Sequence, residues 1–157
     1  MPELIGRLRP YARVGIIVSR YNELITRRLL DGAREVCGEA GVPEQEVDVV
    51  WVPGAFELSA AAACCAATGR YASLVALGTV IRGDTPHFEY VASEAARGLN
   101  AVAVRHALPV GFGVLTVDSL DQATERAGGA AGNKGREAAE AALLTADVLH
   151  QIRGMHA

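Results

Sequence analysis

Cysteine, net charge and long apolar runs are all scarce in this chain. Only three cysteines occur among 157 residues, Cys37, Cys64 and Cys65. An odd count, with two of them adjacent, argues against a disulfide framework and fits a reducing compartment, so a cytoplasmic location is expected. Adjacent helical positions point ~100° apart, which disfavours Cys64 and Cys65 as a metal pair. All three thiols are expected as small buried apolar groups. No apolar run is long enough to span a bilayer, and the first residues lack the apolar centre of a signal peptide. The net charge is −3; neither disorder nor broad attraction to nucleic acid is favoured. Two nucleotide motifs are missing as well. Gly78 and Gly83 do not give GxGxxG spacing, and Asn133 stands where a Walker loop needs glycine before Lys134. What remains is a chain that is 50% hydrophobic. It reads as one domain, 1–157, large enough to bury about 70% of its unfolded surface.

Strand and helix patterns alternate along that chain. Residues 1–11 read as an N-terminal arm, with Leu4, Ile5 and Leu8 suited to an added edge strand. Val14–Val18 is a buried strand, Ser19–Asn22 a turn, and a helix follows to Ala40. Val47–Val52 is the next strand, Pro53–Glu57 a second loop, and an alanine-rich helix runs from Leu58 to Thr68. Ser73–Leu77 continues into the loop Gly78–Pro86, and a helix begins near His87, with Thr85 as its cap and Pro86 in its first turn. Ala101–Val104 reads as a fourth strand and Val110–Leu115 as a fifth. A short helix from Leu120 to Ala127 opens on a Ser119–Gln122 capping box. The glycine-rich stretch Gly128–Gly135 reads as a flexible elbow before a last helix reaching Ile152. This alternation predicts an α/β three-layer sandwich, a mainly parallel flavodoxin-like sheet with helices on both faces. Ligands of such sheets bind at the carboxyl ends of strands. Tyr21, Gly54–Glu57, Thr79–His87 and Phe112 are all expected there.

Several residues have two readings. His87, at a helix start that attracts anions, could move protons, or be a polar residue facing water. Arg126 could clamp a phosphate, or be a charge favoured at a helix C-terminus. Glu57 could accept bonds from ligand hydroxyls, or steady the first turn of its helix. Tyr21 and Phe112 could sandwich a flat ring, or be core. Arg82 fits an ion pair as readily as a ligand contact. His106, His150 and His156 fall away from the loops and take no role.

Five stretches together resemble the 6,7-dimethyl-8-ribityllumazine synthase family. They are Val18–Asn22, Trp51–Glu57, Gly78–Val91, Phe112–Thr116 and the run from Arg126 to Gly135, in the family's order and spacing. The resemblance implies condensation of 5-amino-6-(D-ribitylamino)uracil with 3,4-dihydroxy-2-butanone 4-phosphate, in riboflavin biosynthesis, without cofactor or metal. It implies that Tyr21 stacks on the pyrimidine and that Asn22 belongs to the same substrate-binding turn. Ala55, Phe56 and Glu57 would border the ribityl chain, and Thr79, Val80 and Ile81 would give backbone contacts. Asp84 and Thr85 would lie at the phosphate pocket, with His87 as the proton carrier. Arg126 would bind phosphate, with Lys134 as a further cation, and Phe112 and Arg126 would come from a neighbouring subunit. Ala130 replaces a lysine common in relatives, Asp84 replaces a small uncharged residue, and Tyr21 replaces Phe or Trp. The implied partners are small-molecule substrates and further copies of the chain, in a pentamer that in many family members builds a 60-subunit icosahedral shell. No nucleic acid and no membrane is implied. A shell or flavin-binding protein with weak catalysis and an archaeal-type riboflavin synthase are the competing readings.

Overall fold

In the computed structural model, residues 1–155 are described; His156 lies outside them. Four parallel strands form the sheet: β1 (Arg13–Ser19), β2 (Val47–Val52), β3 (Tyr71–Ile81) and β4 (Val110–Val117), in the order β2-β1-β3-β4. This is the flavodoxin-like order without its last strand. The helices are α1 (Glu23–Glu39), α2 (Leu58–Ala67), α3 (His87–His106), α4 (Leu120–Arg126) and α5 (Lys134–Gly154).

Strand side chains alternate between two cores, as a sheet covered on both faces requires. Ile16, Val18, Val75 and Leu77 point to one face and pack with Leu29, Val36 and Leu143 of α1 and α5. Ile17, Leu74 and Ala76 point to the other and pack with Leu58, Ala62 and Leu99 of α2 and α3. Helix α5 lies so close to its neighbours that glycine is obligatory at Gly6, Gly111 and Gly135. A Cβ on Gly111 would strike the carbonyl of Ala138, and one on Gly135 the carbonyl of Leu29.

Five local expectations are corrected. Ala101–Val104 is not a strand but the last stretch of α3. Its small residues continue the helical spacing of Phe88, Ala95 and Leu99, with Val102 buried and Val104 exposed, and alanine favours the helix. The sheet therefore has four strands. Thr85 does not cap α3; the cap position falls on Pro86, with no side-chain cap bond. The arm is not a strand. It is seated on α5, where Asp147 accepts bonds from the Arg7 N–H and the Tyr11 hydroxyl, and Gln151 donates to the Ile5 carbonyl. The elbow is a small antiparallel hairpin, β5 (Ala127–Gly129) and β6 (Gly132–Asn133). Asn133 caps α5, accepting from Gly135 and Arg136 while donating to the Arg28 carbonyl. Of the thiols, Cys37 is buried and pushed up to about 11 by that burial, but Cys64 is exposed and Cys65 half-buried.

Candidate active site

The carboxyl ends of β1, β2 and β3 open on a cavity of about 680 Å³, within the range of small-ligand pockets. Three loops and one helix start build its wall. After β1 the chain turns sharply. The Arg20 and Tyr21 N–H groups donate to the Val52 and Pro53 carbonyls at 2.8 and 3.0 Å. Asn22 takes a left-handed conformation at φ 61°, which asparagine tolerates better than most residues. Its Nδ2 donates to the Thr79 carbonyl at 3.3 Å, tying this turn to the end of β3. Tyr21 is left 74% exposed on the cavity wall.

After β2, residues Ala55–Glu57 form one 3₁₀ turn leading into α2. Glu57 Oε1 accepts from the Gly54 N–H at 2.9 Å, so this carboxylate shapes its own loop. Ala55 is buried beneath the turn and Phe56 stands 58% exposed above it. Thr79, Val80 and Ile81 at the end of β3 form the adjoining wall. Thr85 and His87, at the entry to α3, complete it. His87 is the first residue of α3 and is exposed. With no side-chain cap, the first N–H groups of this 20-residue helix keep their affinity for an anion.

Sequence reasoning missed part of this wall. Phe88, Tyr90 and Val91 also line the cavity. Tyr90 and Val91 sit three and four residues after His87, hence on its helix face, a spacing readable in advance. Four of the eight aromatic residues, Tyr21, Phe56, Phe88 and Tyr90, thus meet at one cavity.

Other expected site residues lie elsewhere. Phe112 is the third residue of β4 and pairs with Ala76. It is in the amino half of its strand, not at the carboxyl end. It is 40% exposed. With Lys134 it lines a separate cavity of about 610 Å³ between β4, the end of α3 and α5. One chain therefore does not sandwich a ring between Tyr21 and Phe112. Arg126, at the end of α4, lines neither cavity; its Nη1 donates to the Gln122 carbonyl at 3.1 Å. Asp84 is exposed on the β3–α3 loop and does not line the His87 cavity. Among the described residues no three His, Cys, Asp or Glu side chains converge as a metal site requires. No helix there is long and apolar enough to cross a membrane.

A family model described as 6,7-dimethyl-8-ribityllumazine synthase matches residues 11–150. Relatives of that name from Yersinia pestis (strain Pestoides F) and Yersinia pseudotuberculosis serotype O:1b (strain IP 31758) are each 53% identical over 146 residues, spanning 92% of this chain and 94% of theirs. A de novo designed Rossmann fold protein aligns over 74% of this chain and 91% of its own, at 22% identity and a TM-score of 0.38, too low to add to the argument. With a family match across nearly the whole length, and relatives of one name at 53% identity, the chain belongs to the 6,7-dimethyl-8-ribityllumazine synthase family.

Proposed function

We propose that the cavity around His87 is one half of an active site and that a neighbouring copy supplies the other half. The chain is a transferase of riboflavin biosynthesis. It condenses 5-amino-6-(D-ribitylamino)uracil with 3,4-dihydroxy-2-butanone 4-phosphate, releasing phosphate and water. The observation behind the divided site is the separation of its parts. Tyr21, Phe56, Thr85 and His87 share one cavity, Phe112 and Lys134 line another, and Arg126 lies in neither. A head-to-tail contact repeated around a ring brings one chain's first set against the next chain's second set. We take the ring to be a pentamer, following the family resemblance, with the twelve-pentamer icosahedral shell that many family members build as its further assembly, working in the cytoplasm.

In this reading the pyrimidine lies on Tyr21, with the Thr79–Ile81 backbone along its edge and the ribityl chain beside Ala55, Phe56 and Glu57. Asn22 holds the Tyr21 turn to Thr79. The phosphate sits at the α3 start near Thr85, and the neighbour's Arg126 and Lys134 neutralise it. Asp84, outside the cavity wall, points its charge away from that anion. The amine attacks the ketone and an imine forms with loss of water. Phosphate leaves by elimination, favoured by the cations and N–H groups that hold it. His87 carries protons between these steps, the ring closes and water departs. Much of the acceleration comes from aligning two reactants.

The test mixes both substrates with the protein and follows lumazine absorbance, against controls without protein. Turnover that depends on His87 and Arg126 supports the reading; turnover indifferent to both contradicts it. Light scattering should find at least a pentamer at micromolar concentration; a monomer or dimer would refute the shared site.

A further inference from the structure

The loop from Arg82 to Pro86 carries Thr85 and leads directly into His87, yet its main-chain bonds lie at its ends. The Arg82 N–H donates to the Val117 carbonyl at 2.8 Å, and the Glu89 N–H to the Pro86 carbonyl at 3.0 Å. Helix α3 begins without a side-chain cap. One side chain bridges the loop. The Arg82 guanidinium lies 4.3 Å from the centroid of the Phe88 ring, and its Nε donates to Asp118 Oδ1 at 2.8 Å. Phe88 is the residue after His87, and it is buried in the α2–α3 core. Asp118 is held in turn: its N–H donates to Gln122 Oε1 at 2.7 Å, beside the Ser119 cap of α4. Arg82 therefore ties the end of β3, the first turn of α3 and the β4–α4 turn together.

We propose that Arg82 is a positioning residue for the proton-transfer step, fixing His87 through the ring of Phe88 while Asp118 fixes the guanidinium. The inference rests on the role given to His87 above. A planar guanidinium can stack and donate sideways at once, which an ammonium cannot. The ion pair is more than half exposed on both sides, so it contributes little to folding. A catalytic group displaced by about 1 Å, however, costs rate steeply. The consequence should appear in turnover and not in stability.

The experiment is a double-mutant cycle in steady-state kinetics on the assembled protein. Arg82→Met in the otherwise intact chain should lower kcat about five- to tenfold. Its melting temperature should hold, and KM for the pyrimidine should stay within about twofold. Arg82→Lys should recover only part of the loss. In a His87→Ala background, Arg82→Met should change nothing further. Equal losses in both backgrounds, or no loss with His87 present, would overturn the inference while leaving His87 its role. If His87→Ala alone left turnover intact, the role assigned to His87 would fall, and the positioning role with it.

Discussion

At the amino end of the sheet, the Asp48 carboxylate takes two bonds from Arg13 and one from the Tyr71 hydroxyl, at 2.8–3.0 Å. Nearby, buried Asp147 collects the Tyr11 hydroxyl, the Arg7 N–H and Gln151. At the carboxyl end, His87, Thr85, Tyr21 and Phe56 stand exposed around a cavity. Even Glu57 there serves its own loop. The contrast separates two uses of polar chemistry on one scaffold. Where side chains are paired, they lock strand ends and the arm; where they are left open, they line the cavity proposed above as half of the active site. Substitutions at one end should move stability and leave turnover, and at the other end the reverse.

The largest effect expected is His87→Ala, which should slow turnover by about 10²-fold at most, in keeping with general acid–base catalysis. Its melting curve should be unchanged. A folded but wholly inactive variant would give this imidazole more than proton transfer. Next is Asp147→Ala, which leaves the Tyr11 hydroxyl and the Arg7 N–H without their acceptor. It should cost about 2 kcal/mol in urea unfolding, with kcat per folded protein unaltered. A fall in kcat at constant stability would break the division between the two ends. Third, Arg126→Ala should raise KM for the butanone phosphate about tenfold, as loss of a charged contact does. An unchanged KM would remove Arg126 from the phosphate site. The smallest effect is on pH. The Arg13 hydrogen bond, helped by Tyr71, holds Asp48 down at about 2. A carboxyl depressed by folding stabilises the native state above its ordinary value near 4, and that stability is lost as pH falls toward 2. Asp147, lowered first by the Tyr11 hydroxyl, acts in the same direction. Melting temperatures should therefore drop between about pH 4 and pH 2, and less steeply in Asp48→Asn.

Much of this was legible in the residues themselves. The apolar run Val14–Val18 reads as a buried strand of a parallel sheet and Val47–Val52 as the next strand, which is half-buried at the sheet edge, and each is followed by a loop that forms the cavity wall. Ala101–Val104 misled because small alternating apolar residues satisfy a strand period and a helix period alike; only the preceding helix settles which applies. The Asp147 seat of the arm gave no local signal, since its partners lie 136 and 140 residues away in sequence. The displacement of Phe112 from the cavity was hidden for a different reason. The run Phe112–Thr116 fixes a strand, but not where along it the neighbouring strand ends. The proposed pairing of one chain's Phe112 with another chain's Tyr21 rests on the family resemblance, because nothing in a single sequence marks which faces meet.

The shared site is tested most directly by mixing two crippled chains. Chains with His87→Ala and chains with Arg126→Ala would be unfolded together, reassembled at equal ratio and assayed with the butanone phosphate well below its wild-type KM, where each variant alone is slow. If neighbouring copies share each site, random reassembly leaves intact pairs at about a quarter of the sites, and about a quarter of the wild-type rate should return. A mixture no faster than the average of the two variants alone would contradict a site divided between chains.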